Sequence, residues 1–315
     1  MVFAVDEIFG EEELRMLELE CVAGKPGLGK ELGTASIQKP GLLLTGLLDE
    51  LHEDRIQILG AAEIGYLNSL GPAELDRSRA VIDKRGIPAI IITRGLKPPA
   101  PLLALCNKRA IPLFTTALTS SALIEGISKY LSERLAPSVS IHGVFVDVLG
   151  IGILLLGKSG IGKSECALDL LARGYRLVAD DLVVVKRLPP AVLFGTSTGL
   201  ARYHMEIRGL GIVNIQDLFG ITAIREKKQM DLMVELVKWE SSGDYERLGF
   251  EEKTSEILGV KLPYLKVPVS PGRSVSSIVE VAARNQILKI MGKYSARELE
   301  ADLKDAMGNP EKVEV

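Results

Sequence analysis

The chain has 315 residues, 47% of them hydrophobic and 25% charged, with a net charge of −3 from 38 basic and 41 acidic side chains. That length suits two ordinary domains, because a single core stops growing near ~250–300 residues, and the near-neutral balance excludes a strong general attraction to nucleic acid or an anionic membrane. Three scattered cysteines (Cys21, Cys106, Cys166) make neither a disulfide framework nor a C-x-x-C metal pair, and the longest apolar runs, such as Leu42–Leu48, are too short to span a bilayer.

The acidic start has no leader-like apolar core, so a cytoplasmic protein is expected. In chain order, Arg55–Leu59, Ala89–Thr93 and Pro112–Leu118 are rich in β-branched residues and read as buried strands. Residues 61–70, 72–84 and 101–109 between and after them carry helical spacing. This alternation predicts a small α/β sheet with a parallel core. A closing helix is expected over 119–135, capped by Ser120 or Ser121 and broken at Ala136-Pro137. The domain boundary is placed there, giving residues 1–135 and 136–315.

The second part opens on Val139–Val148, read as one alternating strand, and on the apolar strand Ile151–Leu156. Leu149-Gly150 between them reads as a two-residue hairpin turn, which sets Val148 opposite Ile151. Carried onward, that register puts His142 opposite Gly157. Helices are expected over Ile278–Met291 and Ser295–Met307, before a charged tail.

Gly157-Lys158-Ser159-Gly160-Ile161-Gly162-Lys163-Ser164 matches the phosphate-binding pattern G-x-x-x-x-G-K-[ST]. Its glycines let backbone N–H groups curl around phosphate oxygens, Lys163 supplies charge for the β- and γ-phosphates, and the Ser164 hydroxyl is placed to ligate Mg²⁺. The context agrees. A strand precedes the loop, and Ser164–Arg173 follows as a helix ending at Gly174, with its positive end toward the phosphates. After the next predicted strand, Tyr175–Ala179, come Asp180-Asp181. A carboxylate there suits proton transfer, a helix cap or a metal-side role equally well.

Ile141–Val144, the P-loop, Leu177–Asp181, Met205–Asn214, Tyr245–Gly249 and Val267–Arg273, in that order, resemble the HPr kinase/phosphorylase family. Ile278–Asn285 is similar to it as well, and the first part follows the family's N-terminal domain more loosely. The resemblance implies an α/β fold, with a small N-terminal α/β domain and a C-terminal P-loop kinase domain built on a mixed sheet. It implies a bifunctional enzyme that phosphorylates a serine of the phosphocarrier HPr, or an HPr-like protein, with ATP or pyrophosphate, and removes that phosphate with inorganic phosphate to give pyrophosphate. By the same resemblance, residues 157–164 bind the nucleotide, Lys163 holds the transferred phosphate, and Ser164 with Glu206 binds Mg²⁺. Asp181 is the proton acceptor and donor, with Asp180 as an alternate. His142 assists near the phosphates and Arg247 neutralises charge on the transferring group. Residues 205–214 serve both directions, residues 268–273 mainly dephosphorylation, and the assembly is a homohexamer.

Two rivals remain on the residues alone: a small-molecule P-loop kinase, and a nucleotide-sensing module that performs no chemistry. Cys166, Asp147, His204 and Trp239 are assigned to structure.

Overall fold

Three consecutive isoleucines, Ile90–Ile92, leave a strand no polar face to turn toward water, so both of its faces must be covered. In the structure, a computed structural model, all three are buried within a five-stranded sheet. The structure describes residues 3–9, 15–32, 36–45, 54–71, 73, 74, 77, 78, 82, 86–199, 202–239 and 252–299. The chain divides into two units between Ala136 and Pro137.

The first unit contains β1 (Phe3–Ala4), α1 (Val5–Phe9), β2 (Glu20–Ala23), β3 (Glu31–Leu32), β4 (Ile37–Gln38), β5 (Ile56–Leu59), α2 (Ala61–Ser69), β6 (Ile90–Ile92), α3 (Ala100–Arg109), β7 (Leu113–Thr115) and α4 (Ser120–Arg134). Strands β4 to β7 pair in parallel, β2 adds antiparallel to β7, and β1 pairs separately with β3. Side chains alternate across the sheet. Leu59, Ile90 and Ile92 pack against Ile64 and Leu67 of α2 and Leu102 and Leu105 of α3. Ile56, Ile58 and Ile91 face Leu123, Ile127 and Leu131 of α4. The cap of α4 is Thr119 rather than either serine; its hydroxyl accepts from the Ala122 N–H, while Ser120 shares a hydrogen bond with Thr93. Most of the helix expected over 72–84 lies outside the described residues.

The second unit contains β8 (Ser138–His142), β9 (Val144–Val148), β10 (Ile151–Gly157), α5 (Lys163–Ala172), β11 (Arg176–Ala179), β12 (Leu182–Leu188), β13 (Val192–Ser197), β14 (His204–Ile207), β15 (Gly211–Asn214), α6 (Ile215–Phe219), β16 (Lys227–Gln229), β17 (Leu232–Lys238), β18 (Thr254–Ile257), β19 (Val260–Val269) and α7 (Val275–Ile290). Its main sheet, ordered β11-β9-β10-β17-β19-β18, is mixed, with β10, β17 and β19 parallel. A second, antiparallel sheet is ordered β16-β13-β12-β8. Helices α5 and α7 cover one face of the main sheet through Cys166, Ala167, Leu170, Val279 and Ala283. The other face meets the second sheet through Phe145, Leu154, Val183, Val185 and Leu193. Residues 295–299 are helical, and the remainder of the helix expected over Ser295–Met307 lies outside the described residues.

The single strand expected over Val139–Val148 is two strands in two sheets. Gly143 divides them: its N–H donates to the Asp181 carbonyl, and a Cβ there would stand 2.7 Å from the Leu155 carbonyl oxygen. The hairpin turn is as expected, with Leu149 and Gly150 both at positive φ. Its ladder sets Val148 opposite Ile151 but ends at Val144 opposite Leu155. His142 instead pairs with Leu182, and Gly157 with Leu236. The ladder therefore ends two residues short of His142.

The two sheets pack closely where Phe145 meets Gly195, since a Cβ on Gly195 would lie 2.5 Å from the fully buried Phe145 ring. Gly195→Val is expected to destabilise the protein by about 1–3 kcal/mol, the usual cost of overfilling a packed core. Urea denaturation checks it; an unchanged midpoint would mean that the sheets part at little cost.

Candidate active site

Three parallel strands bring their C-terminal ends to one edge of the main sheet, where α/β sheets commonly bind ligands. Gly157 closes β10 beside Leu236 of β17, and Val269 closes β19 beside Lys238. The P-loop and the turn over residues 270–273 therefore leave the same edge. Gly157, Gly160 and Gly162 all have positive φ, which glycine adopts without steric cost. Gly162 is the N-cap of α5, so the first turn of that helix presents its unpaired N–H groups to the loop.

The Lys163 ammonium donates to the carbonyls of Gly157 (3.0 Å) and Lys158 (3.2 Å), folding back over its own loop. Ser164 donates its hydroxyl proton to Asp180 Oδ1 at 3.0 Å. The other oxygen of Asp180 accepts from the Glu206 backbone N–H at 3.3 Å. Asp180 thus joins the P-loop helix to the β14–β15 hairpin, whose buried Met205 belongs to the same core as α5. Burial raises the Asp180 pKa, opposed by the hydrogen bonds from Ser164 and from the Glu206 and Asp181 backbones.

Asp181 is placed quite differently from its neighbour. It sits at φ 63, in left-handed geometry that asparagine and aspartate tolerate better than most residues. That turn sends its side chain outward, 87% exposed, with Oδ1 3.7 Å from Nδ1 of the 83% exposed His142. His142 reaches this position as the last residue of β8, paired with Leu182 across the second sheet. Strands from two sheets therefore deliver the histidine and the two aspartates to one place. The hairpin register expected for His142 is not the one it has, although the family resemblance implies the same residue; its partner strand opens with the apolar run Leu182–Val185, which pairs with β8.

Arg247 lies outside the described residues, as does most of Asp244–Lys253. Glu206 is exposed on β14 opposite Ile212, so residues 205–214 form a hairpin rather than an open loop. Asp147 is buried and held by Arg225 at 2.7 Å, away from the P-loop end of its strand. His204 Nδ1 lies 2.9 Å from the Arg202 carbonyl oxygen. Cys166 is buried on α5, its thiol pushed up to about 12, so it serves packing rather than thiolate chemistry. No group of three or more His, Cys, Asp or Glu side chains among the described residues forms a ready metal cluster. The Ser164 hydroxyl and the Asp180 carboxylate meet there as hard oxygen groups of the kind Mg²⁺ takes alongside phosphates, while Glu206 touches Asp180 through its backbone N–H.

Comparison with known proteins gives one answer for both units. Residues 3–131 match the HPr Serine kinase N terminus family, and residues 133–303 match the HPr Serine kinase C-terminal domain family. The HPr kinase/phosphorylase of Geobacter sulfurreducens is 49% identical over 300 residues, covering 95% of this chain and 94% of that protein. Its counterpart in Leptospira biflexa is 48% identical over 284 residues (90% and 88%), and that of Listeria monocytogenes 40% over 294 residues (93% and 94%). A solved structure of the Hpr(Ser) kinase/phosphatase from Coxiella burnetii is 32% identical, covering 51% of this chain and 98% of that one at a TM-score of 0.47. With both units matched and relatives aligned along nearly the whole length, the chain belongs to the HPr kinase/phosphorylase family.

Proposed function

We propose that this protein transfers the γ-phosphoryl group of ATP to a serine of HPr or an HPr-like carrier, and removes it by phosphorolysis to form pyrophosphate. The observation that carries this reading is the pairing of a P-loop with an exposed Asp181–His142 couple beside it. A small-molecule kinase normally encloses its acceptor to exclude water. Here the proton-handling groups face solvent, where a serine on a protein surface can reach them.

In the forward direction the serine oxygen forms a bond to the γ-phosphorus while the bond to the ADP oxygen breaks. Asp181 takes the serine proton, with His142 Nδ1 beside it to steady the charge. In the other direction an oxygen of inorganic phosphate attacks the phosphoserine, Asp181 returns a proton to the departing serine oxygen, and pyrophosphate leaves. Lys163 swings from its loop carbonyls to the transferring phosphate in both. Ser164 and Glu206 would hold Mg²⁺, which supplies neutralising charge on the phosphate oxygens when bound. Arg247 would add cationic charge to the same group. Asp180, engaged with Ser164, serves the metal side rather than the proton.

Asp180→Asn tests that division. The raised pKa of Asp180 means that its ionised form is disfavoured in the folded state. Its contribution to stability therefore falls as pH rises from the unfolded carboxylate range through the folded value. The asparagine variant is expected to lack this component, so its stability relative to wild type should increase across mildly acidic pH. Mg²⁺-dependent ATP binding should weaken by about tenfold or more. A pH series of thermal melts and titration calorimetry check both; an unchanged Mg²⁺ requirement would remove Asp180 from the metal side.

We further assign the protein to the cytoplasm, as a homohexamer acting on neither nucleic acid nor membrane. No helix among the described residues is long and apolar enough to cross a bilayer. Assembly is supported by apolar side chains on and just after α7, where Val281, Ile290 and Met291 are more than 60% exposed. Native mass spectrometry would read the hexamer directly, and a monomer at micromolar concentration would overturn it.

The function itself is tested by incubating the protein with Mg²⁺, labelled ATP and an HPr-type carrier from the same genome. Label on a carrier serine is expected. Transfer only to small molecules, or ATP binding without transfer, would replace this reading with one of the two rivals.

A further inference from the structure

The β14–β15 hairpin carries one arginine that has been given no individual role within the segment 205–214. Arg208 lies in its turn, between Ile207 and Gly209, and is exposed. Its guanidinium nevertheless rests on the phosphate cradle: a Cβ on Gly160 would stand 3.0 Å from one terminal nitrogen and 3.7 Å from the guanidinium carbon and the other terminal nitrogen. Gly160 is the middle residue of the loop, so its missing side chain is what admits the arginine. Among the described residues no hydrogen bond or ion pair engages that guanidinium, and no carboxylate neutralises it. An arginine laid on a surface of inward-turned N–H groups, with its own charge unspent, is poised for an anion.

We infer that Arg208 is a phosphate ligand of the P-loop site, seated by Gly160, and that it carries the hairpin onto the bound phosphate chain. The inference rests on the reading of residues 157–164 as a triphosphate site. A guanidinium suits the task because its planar fork can meet two non-bridging oxygens at once, which an ammonium cannot. The hairpin is already tied to the loop through Asp180, which holds Ser164 with one oxygen and the Glu206 backbone with the other. Arg208 would supply the second tie, present only when phosphate is there to bridge it to the loop. Glu206 stands two residues before it, on β14 next to the turn that carries Arg208. Seating Arg208 would then also settle the position of Glu206.

The test measures binding of ATP and of pyrophosphate by calorimetry with wild type, Arg208→Ala, Arg208→Lys and Gly160→Ala, using Lys163→Ala as the reference for the P-loop itself. Arg208→Ala is expected to weaken both ligands about tenfold or more, with the thermal midpoint nearly unchanged because the side chain is exposed. Arg208→Lys should recover only part of the affinity. Millimolar guanidinium should restore phosphoryl transfer to Arg208→Ala but not to Lys163→Ala, a readout that a merely structural role would not move. Gly160→Ala adds a methyl group where the guanidinium lies, so the Gly160→Ala/Arg208→Ala double variant should be little worse than Gly160→Ala alone. Wild-type affinity and rate in Arg208→Ala, or defects that simply multiply in the double variant, would overturn the inference. If wild type binds neither ligand, the reading of the P-loop fails first.

Discussion

Asp181→Asn is expected to slow both phosphoryl transfers by about 10²–10⁴-fold, the range a positioned general base contributes, while ATP binding stays within about threefold. The expectation follows from how differently the two adjacent aspartates are held. Asp180 is tied to Ser164 and the Glu206 backbone and is partly buried, so it is not free to approach a serine on another protein. Asp181 faces solvent beside His142, and among the described residues no hydrogen bond or ion pair joins its side chain to a P-loop side chain. Asparagine keeps its size and its tolerance for positive φ but cannot take the proton. Single-turnover transfer to the carrier, measured beside ATP affinity, separates the two effects. Loss of ATP binding in this variant would make Asp181 a nucleotide ligand, and retained transfer would remove it from proton chemistry altogether.

The second large effect is expected at Lys163. Lys163→Ala should weaken ATP by about 10²-fold or more, since hydrogen bonds to charged groups are each worth about 1.5–3 kcal/mol and in the proposed role the ammonium would make more than one to the phosphates. It should abolish transfer in both directions. The lysine also braces the loop through the Gly157 and Lys158 carbonyls, so its removal loosens the cradle as well as discharging it. Equilibrium dialysis with labelled ATP is sufficient to see this. An affinity within a few fold of wild type would mean that the backbone N–H groups alone hold the phosphates.

The phosphate cradle is legible because its physics is local. Eight consecutive residues, a strand before them and a helix after, contain nearly everything needed to recognise it. The Leu149-Gly150 hairpin is legible for the same reason, as are the isoleucine strands of the first unit, whose two covered faces show as unbroken apolar runs. What the sequence hides is pairing between segments far apart in the chain. The alternation from Val139 to Val148 continues smoothly through Gly143, yet the chain changes sheets there, because a backbone carbonyl at 2.7 Å leaves no room for a side chain. Nothing near residue 142 says that its neighbour will be Leu182. The distinction between Asp180 and Asp181 is hidden as well. Two identical residues in succession differ only in a backbone angle and in which side chain lies under the hairpin. The N-cap of α4 falls to Thr119 instead of a following serine because Ser120 is already engaged with Thr93.

Recognition of the family rests on ordered motifs, and those motifs meet in space in the part of the site that is described. The P-loop, Asp180, Asp181, His142 and the hairpin over residues 205–214 come from separate stretches and share one edge of the second unit. Residues 270–273 leave the same edge after β19. The resemblance assigns residues 268–273 mainly to dephosphorylation, and β17 alone separates the strand that ends there from the strand that ends at the P-loop.

One site serving two directions is the central claim, and a single reaction mixture addresses it. The carrier is first phosphorylated with Mg²⁺ and ATP, the nucleotide is removed, and inorganic phosphate is added while pyrophosphate and phosphoserine are followed together. The account predicts that phosphoserine disappears mole for mole as pyrophosphate forms, and that Asp181→Asn halts both phases. Loss of phosphoserine without pyrophosphate, or a variant that blocks one direction and spares the other, would contradict it.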